Sequence, residues 1–180
     1  MLKKILNNKK GFTLVEVLVT VFVTVIIIGA ATSMVLYSYK SYHSADKTTS
    51  VLNGVNSITE AVREITFNAS EAEITEVTAV PAVESGTTII CCIDNAVYMD
   101  NHIIQSAKGM NISALSLTFE ADNSSENGKI LKYKITAADE NGEQAIEPQE
   151  LSAYLNNCLG DIEGTTGNCL KIKKTDVTGG

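Results

Sequence analysis

Lys9-Lys10-Gly11-Phe12-Thr13-Leu14-Val15-Glu16 decides how this chain is read, because charge stops there and stays away. From Phe12 to Leu36 the only ionisable side chain is Glu16, and Val17 to Tyr39 holds no Asp, Glu, Lys, Arg or His. That run exceeds the roughly 20 apolar residues a helix needs to cross a hydrocarbon layer. Lys3, Lys4, Lys9 and Lys10 precede it, whereas the far flank has only Lys40 and Lys47. The basic bias predicts a cytoplasmic N-terminus and export of everything after Tyr39.

A secretory signal differs from this pattern. It has a basic start, an apolar core of about 7 to 15 residues and small residues at a cleavage site beyond that core. Here the apolar run is longer, and Gly29-Ala30-Ala31 interrupts it without ending it. The informative glycine, Gly11, stands before the run, between the charged leader and the apolar helix.

Residues 9 to about 37, and Gly-Phe-Thr-Leu-Val-Glu at 11–16 above all, resemble the cleavage and methylation signal of type IV prepilins and of the pseudopilins of type II secretion and competence systems. The resemblance implies a prepilin peptidase that cuts between Gly11 and Phe12 and methylates the new amino group of Phe12. It also implies that Glu16 pairs with the N-terminal amine of a neighbouring subunit during filament assembly. Physical chemistry fits these roles. Gly11 has no side chain to hold a protease away from its backbone. An isolated carboxylate such as Glu16 near the start of an apolar helix is costly and marks a function with a partner. The bland reading of Glu16 is a side chain snorkelling to the cytoplasmic headgroups.

With 180 residues, 44% of them hydrophobic, the chain suits one ordinary domain plus the apolar segment. Taking the four leader lysines and Glu16 from totals of 14 Lys+Arg and 21 Asp+Glu leaves 10 against 20 in residues 40–180. So acidic an exported part repels phosphate backbones, and no nucleic-acid binding is expected.

Past the membrane segment Val51, Val55, Ile58, Val62, Ile65, Ala69 and Ala72 recur in steps of four and three, the stripe of an amphipathic helix. No proline interrupts residues 12–80, so one helix is expected to run on to about Ala72, with Gly54 its weakest point. After Pro81 and Gly86 the period becomes two. Leu115–Glu120 and Leu131–Thr136 alternate apolar and polar residues as half-buried strands do. Asp122 to Gly128 is the expected turn, with Asn127-Gly128 its strongest signal. Pairing Thr118 with Lys132 sets Phe119 beside Leu131, Leu117 beside Tyr133 and Leu115 beside Ile135 on one face. Thr87–Ile93 reads as a further strand, and Ala96–Met99 with His102–Gln105 as a hairpin around Asp100-Asn101. The expected architecture is α+β: a long N-terminal helix, membrane-spanning over 12–39 and amphipathic beyond, laid on a small antiparallel sheet at about 87–137. Residues 148–180 are expected to be irregular.

Four cysteines in an exported domain invite disulfides. Cys158 and Cys169 bracket a glycine-bearing loop that closes without strain, and many pilins close a C-terminal loop in this way. Cys91 and Cys92 adjoin on a strand and point to opposite faces, so one can bury while the other is exposed. A buried free thiol, or a cross-link from either to Cys158 or Cys169, is the alternative arrangement. The spacings lack a zinc knuckle. For calcium, Asp161, Glu163 and Asn168 could supply oxygen donors, although their spacing matches no defined loop. His43 and His102 stand apart from any nucleophile motif, and phosphate loops and nucleophile elbows are absent from the sequence. Neither an enzyme nor a cofactor is expected.

The leading expectation is a structural subunit of a type IV pilus or pseudopilus. Its partners would be prepilin peptidase, other pilin subunits, an inner-membrane assembly platform and the membrane. Ser33 stands about where many major pilins carry a helix-kinking proline, which favours a minor subunit. The rival reading is a single-pass, membrane-tethered extracytoplasmic binding protein, which needs no leader cleavage.

Overall fold

The computed structural model describes residues 12–124, 129–158 and 160–174. The leader with Gly11, the Asn127-Gly128 turn and the last six residues lie outside these. Helix α1, Leu14–Phe67, is continuous. It contains no proline, and its hydroxyls turn inward: Thr20 Oγ1 donates to Glu16 O (2.9 Å), Thr24 to Thr20 O (2.7 Å) and Thr32 to Ile28 O (2.8 Å). These hydroxyls of the apolar half are thus satisfied within the helix. An 18-residue stretch of α1 is long and apolar enough to cross a membrane and is wholly unburied.

The chain divides into two compact units, residues 1–45 and 46–180. In the second, α1 buries Val51, Gly54, Val55, Ile58, Val62, Ile65 and Thr66, the expected stripe. Fully burying a side chain such as Ile58 is worth about 2 kcal/mol. Gly54 is more than a weak point in this helix. A Cβ there would collide with the side chains of Met110 and Gln105, so the missing side chain lets the fully buried Met110 lie against the helix.

The helix stops five residues short of the expected Ala72. Its last turn is closed by Thr66 Oγ1 on Val62 O (2.8 Å), and Asn157 Nδ2 reaches Phe67 O (3.5 Å). Ala69 and Ala72 lie instead on strand β1, Ala69–Thr75. A register shift between Ala69 and Glu71 inserts one residue, so two buried strand positions fall three apart and imitate helical spacing.

The expected single sheet is two antiparallel sheets. One has five strands in the order β1-β9-β2-β3-β4, with β2 at Thr87–Ile93, β3 at Ala96–Met99, β4 at His102–Ser106 and β9 at Cys169–Lys174. The other has four, β7-β6-β5-β8, with β5 at Ala114–Asp122, β6 at Lys129–Ala138, β7 at Gln149–Leu155 and β8 at Thr166–Gly167. The C-terminal region expected to be irregular therefore supplies three strands, and β9 inserts between β1 and β2. Asp94-Asn95 and Asp100-Asn101 all adopt positive φ, the geometry that tight two-residue hairpins require.

The β5–β6 pairing differs from expectation by two residues. Phe119 faces Tyr133, Leu117 faces Ile135 and Leu115 faces Ala137. A slip of two keeps every apolar side chain on the same face, so the hydrophobic pattern cannot choose between the two registers. Asn123 stands just beyond the ladder, and its amide clasps Ile162: Nδ2 donates to Ile162 O (3.0 Å) and Oδ1 accepts from Ile162 N (2.9 Å). The segment between β7 and β9 stitches the two sheets together. Glu163 bonds to β1 through Ala72 O and Ile74 N, and Thr165 O accepts from Ala121 N on β5.

Candidate functional site

The candidate segment begins outside the helix. Phe12 and Thr13 precede α1, and Phe12 is exposed. Thr13 is the N-cap: its Oγ1 accepts from Glu16 N (3.2 Å), and its carbonyl oxygen accepts from Glu16 N (3.0 Å) and Val17 N (3.2 Å). Thr13-Leu14-Val15-Glu16 has the spacing of a capping box, a signal the sequence reading passed over. Glu16 is exposed in the first turn, where the helix dipole favours a carboxylate. Leu14, Val15, Val17, Leu18 and Val19 surround it, all at least half exposed. Ser33, at the position compared with a proline, turns its hydroxyl onto Gly29 O (2.9 Å) and leaves the helix unbroken. The structure thus describes Phe12 and Glu16, while Gly11 lies outside the described residues.

The cysteines differ from the expected loop closure. Cys169 is disulfide-bonded to Cys91, not to Cys158, and Cys92 and Cys158 carry free thiols. The reason is topological. Inserting β9 beside β2 places Cys169 directly opposite Cys91 in the ladder. Cys91 and Cys92 do point to opposite faces, yet both are buried. Cys92 belongs to the core that includes the helix stripe, whereas Cys91, Ile89, Ile93 and Cys169 form a second cluster against Val77, Val80 and Tyr98. The connection at 76–86 therefore lies over the outer face of this sheet. Asn168 holds it there: Oδ1 accepts from Val77 N (2.8 Å), and Nδ2 donates to Val77 O (2.8 Å) and Cys92 O (3.0 Å). Glu84 adds an ion pair to Lys171 (3.0 Å). Burial pushes the Cys92 thiol above its usual range.

The residues considered for calcium have other occupations. Asn168 spends its amide on that connection, and Asp161 pairs with Lys129 Nζ (2.6 Å). Asp161 and Glu163 line an open groove of about 530 Å³ with Glu71 and Glu84, where Lys173 and Lys171 pair with the latter two. Among the described residues no group of three or more His, Cys, Asp or Glu is placed to hold a metal ion.

The prokaryotic N-terminal methylation motif matches residues 6–32. This chain carries a type IV prepilin-type N-terminal segment. Its fold is pilin-like: a long N-terminal helix whose second half packs on antiparallel sheets. Solved structures of the PilB minor pilin from Streptococcus sanguinis and of a point mutant of it are similar, each with a TM-score of 0.52 over 73% of this chain, at 12% and 11% identity. The chain spans about a third of those proteins, 36% of their length. No curated protein matches it.

Proposed function

We propose that the chain is a structural, minor subunit of a type IV pilus or pseudopilus, made as a prepilin, cut between Gly11 and Phe12 and methylated on the new amino group of Phe12. The observation that carries this is that Gly11-Phe12-Thr13-Leu14-Val15-Glu16 runs into the first turn of an apolar helix that is capped by Thr13 and extends to Phe67. A peptidase acting at Gly11 removes the basic leader and keeps the hydrophobic helix, which then serves first as a membrane anchor and later as a packing rod.

In this role Glu16 pairs with the Phe12 amine of an adjacent subunit, neutralising two charges that would otherwise both lose water. The leader lysines hold the N-terminus in the cytoplasm, and residues 46–180 fold outside. Prepilin peptidase, an inner-membrane assembly platform and other pilin subunits are the partners, and the role needs neither a cofactor nor an active site. The mass of the N-terminal peptide from purified membranes is the test. A chain starting at N-methylated Phe12 is expected. One that starts at Met1 in cells with an active prepilin peptidase overturns the proposal in favour of a tethered binding protein.

A further inference from the structure

We propose that Tyr37, Tyr39 and Tyr42 form an aromatic collar that seats α1 in the phospholipid headgroup layer on the extracytoplasmic side, fixing Val17–Leu36 as the stretch that spans the hydrocarbon. Like the proposed role, this requires α1 to cross a bilayer. Three observations point to it.

The first is length. The stretch bounded by Glu16 and Tyr37 is 20 residues long, which at 1.5 Å per residue is about 30 Å, the thickness of the hydrocarbon core. The first tyrosine therefore falls where that core ends. The second is angular spread. At about 100° per residue, Tyr39 and Tyr42 lie about 200° and 140° around the helix from Tyr37. They are 74%, 67% and 75% exposed, and Tyr39 makes an edge contact with His43 at 6.3 Å between ring centroids. Side chains distributed in this way cannot all face one partner helix. A lipid–water boundary meets a helix on every side, and a phenol suits it, with an apolar ring and a hydroxyl for the headgroups.

The third is direction. Helical side chains lean toward the N-terminus, so with the N-terminus cytoplasmic the rings of Tyr39 and Tyr42 reach back toward the bilayer from three and six residues beyond Leu36. Ser38 and Ser41 between the tyrosines, and Ser44 just after them, end the apolar surface at the same level. The collar makes the depth of the anchored subunit a fixed quantity, and extraction toward the filament must pull three phenols out of the headgroups.

The chain has no tryptophan, so a single one is a clean depth probe. The full chain is reconstituted in phosphatidylcholine vesicles whose lipids carry bromine either close to the headgroup or near the chain ends. Tyr39→Trp is expected to be quenched more strongly by the shallow label, by about twofold, and Ile26→Trp more strongly by the deep label. Replacing Tyr37, Tyr39 and Tyr42 with serine in the Ile26→Trp chain should shift its quenching ratio, because the depth stop is gone. The collar is overturned if Tyr39→Trp is unquenched or favours the deep label, or if the triple replacement leaves the ratio at position 26 unchanged. Failure of either label to quench Ile26→Trp is a separate result, which removes the membrane-spanning reading and the collar with it.

Discussion

Cys91 on β2 and Cys169 on β9 face each other across an antiparallel ladder and are joined by a disulfide between positions 78 residues apart. The bond ties the last strand to the first strand of the region after the 76–86 connection, so it closes most of the β-rich unit into one loop. On the chain-entropy account, a loop of that length stabilises the folded state by about 4 kcal/mol. Cys169→Ser, or full reduction, should lower the urea midpoint of the detergent-solubilised chain accordingly. An unchanged midpoint would mean that the bond does not constrain the unfolded chain.

The two free thiols should behave differently. Cys92 is buried in the main core, and burial pushes its thiol above the usual range, so little reactive thiolate is present near neutral pH. Cys158 is half-buried in the segment after β7. Iodoacetamide followed by peptide mass analysis is expected to modify Cys158 in the native chain and Cys92 only after unfolding. Labelling of both at equal rates under native conditions would contradict this arrangement.

The parts of the fold legible in the sequence were those encoded locally. Val51 to Ile65 carries a 3.6-residue period, Leu115–Phe119 a period of two, and Asp100-Asn101 the left-handed turn; each appears where expected. What escaped was set by distant partners. The β1 bulge disguised Ala69 and Ala72 as helix, and the alternation of β5 and β6 fits two registers that differ by two residues. Leu170 and Ile172 alternate as a strand should, but nothing near them announces that β9 will slot between β1 and β2, and the disulfide follows from that slot. At the N-terminus the Gly11–Glu16 motif was readable as it stood. The Thr13 cap was equally legible in Thr-x-x-Glu and needed only to be looked for.

Gly164 sits where the segment from 156 to 168 crosses β1. Its φ is +82°, and a Cβ there would run into the carbonyl oxygen of Ile74. Both the backbone conformation and the space exclude a side chain. Gly164→Ala should destabilise the fold by about 2 kcal/mol or more, read as a lowered urea midpoint with unchanged slope. Wild-type stability in this variant would place the segment away from β1.

Acid should weaken the β5–β6 hairpin in a defined way. The Lys132 ammonium, 2.8 Å from Asp122, together with hydrogen bonds from Ser124, holds the Asp122 carboxyl well below the usual range. A carboxyl depressed in the folded state adds stability that is fully present above its unfolded pKa, about 3.9, and is lost as pH falls toward the lower folded value. Asp122→Asn should therefore be less stable than wild type at neutral pH, with the gap closing as the pH drops below about 4. A gap that stays constant down the acid limb would show that the ion pair contributes nothing specific to folding.

The last prediction concerns Glu16. The Thr13 hydroxyl and carbonyl already satisfy the N–H groups of Glu16 and Val17, and the threonines of the first turns bond to their own backbone. The Glu16 carboxylate is thus the one charge between Phe12 and Leu36. In the proposed orientation it stands one turn from the cytoplasmic surface of the membrane, within reach of water, so carrying it there is tolerable. When helices bundle in a filament that water is lost, and a carboxylate without a partner then costs several kcal/mol. In the proposed role, pairing with the Phe12 amine of the next subunit would offset much of this penalty, and a misplaced subunit would leave both charges bare. Such a pair would set register more than it adds net stability. Glu16→Ala should be processed and inserted like wild type yet enter filaments poorly, with fewer subunits in the sheared fraction at an equal membrane pool. In the variant Thr13 still caps the helix through its own hydroxyl, so the main hydrogen bond at the helix start is kept. Immunoblots of sheared filaments beside the membrane pool supply the measurement, and equal amounts of variant and wild type in the sheared fraction would show that Glu16 does not carry assembly in this subunit.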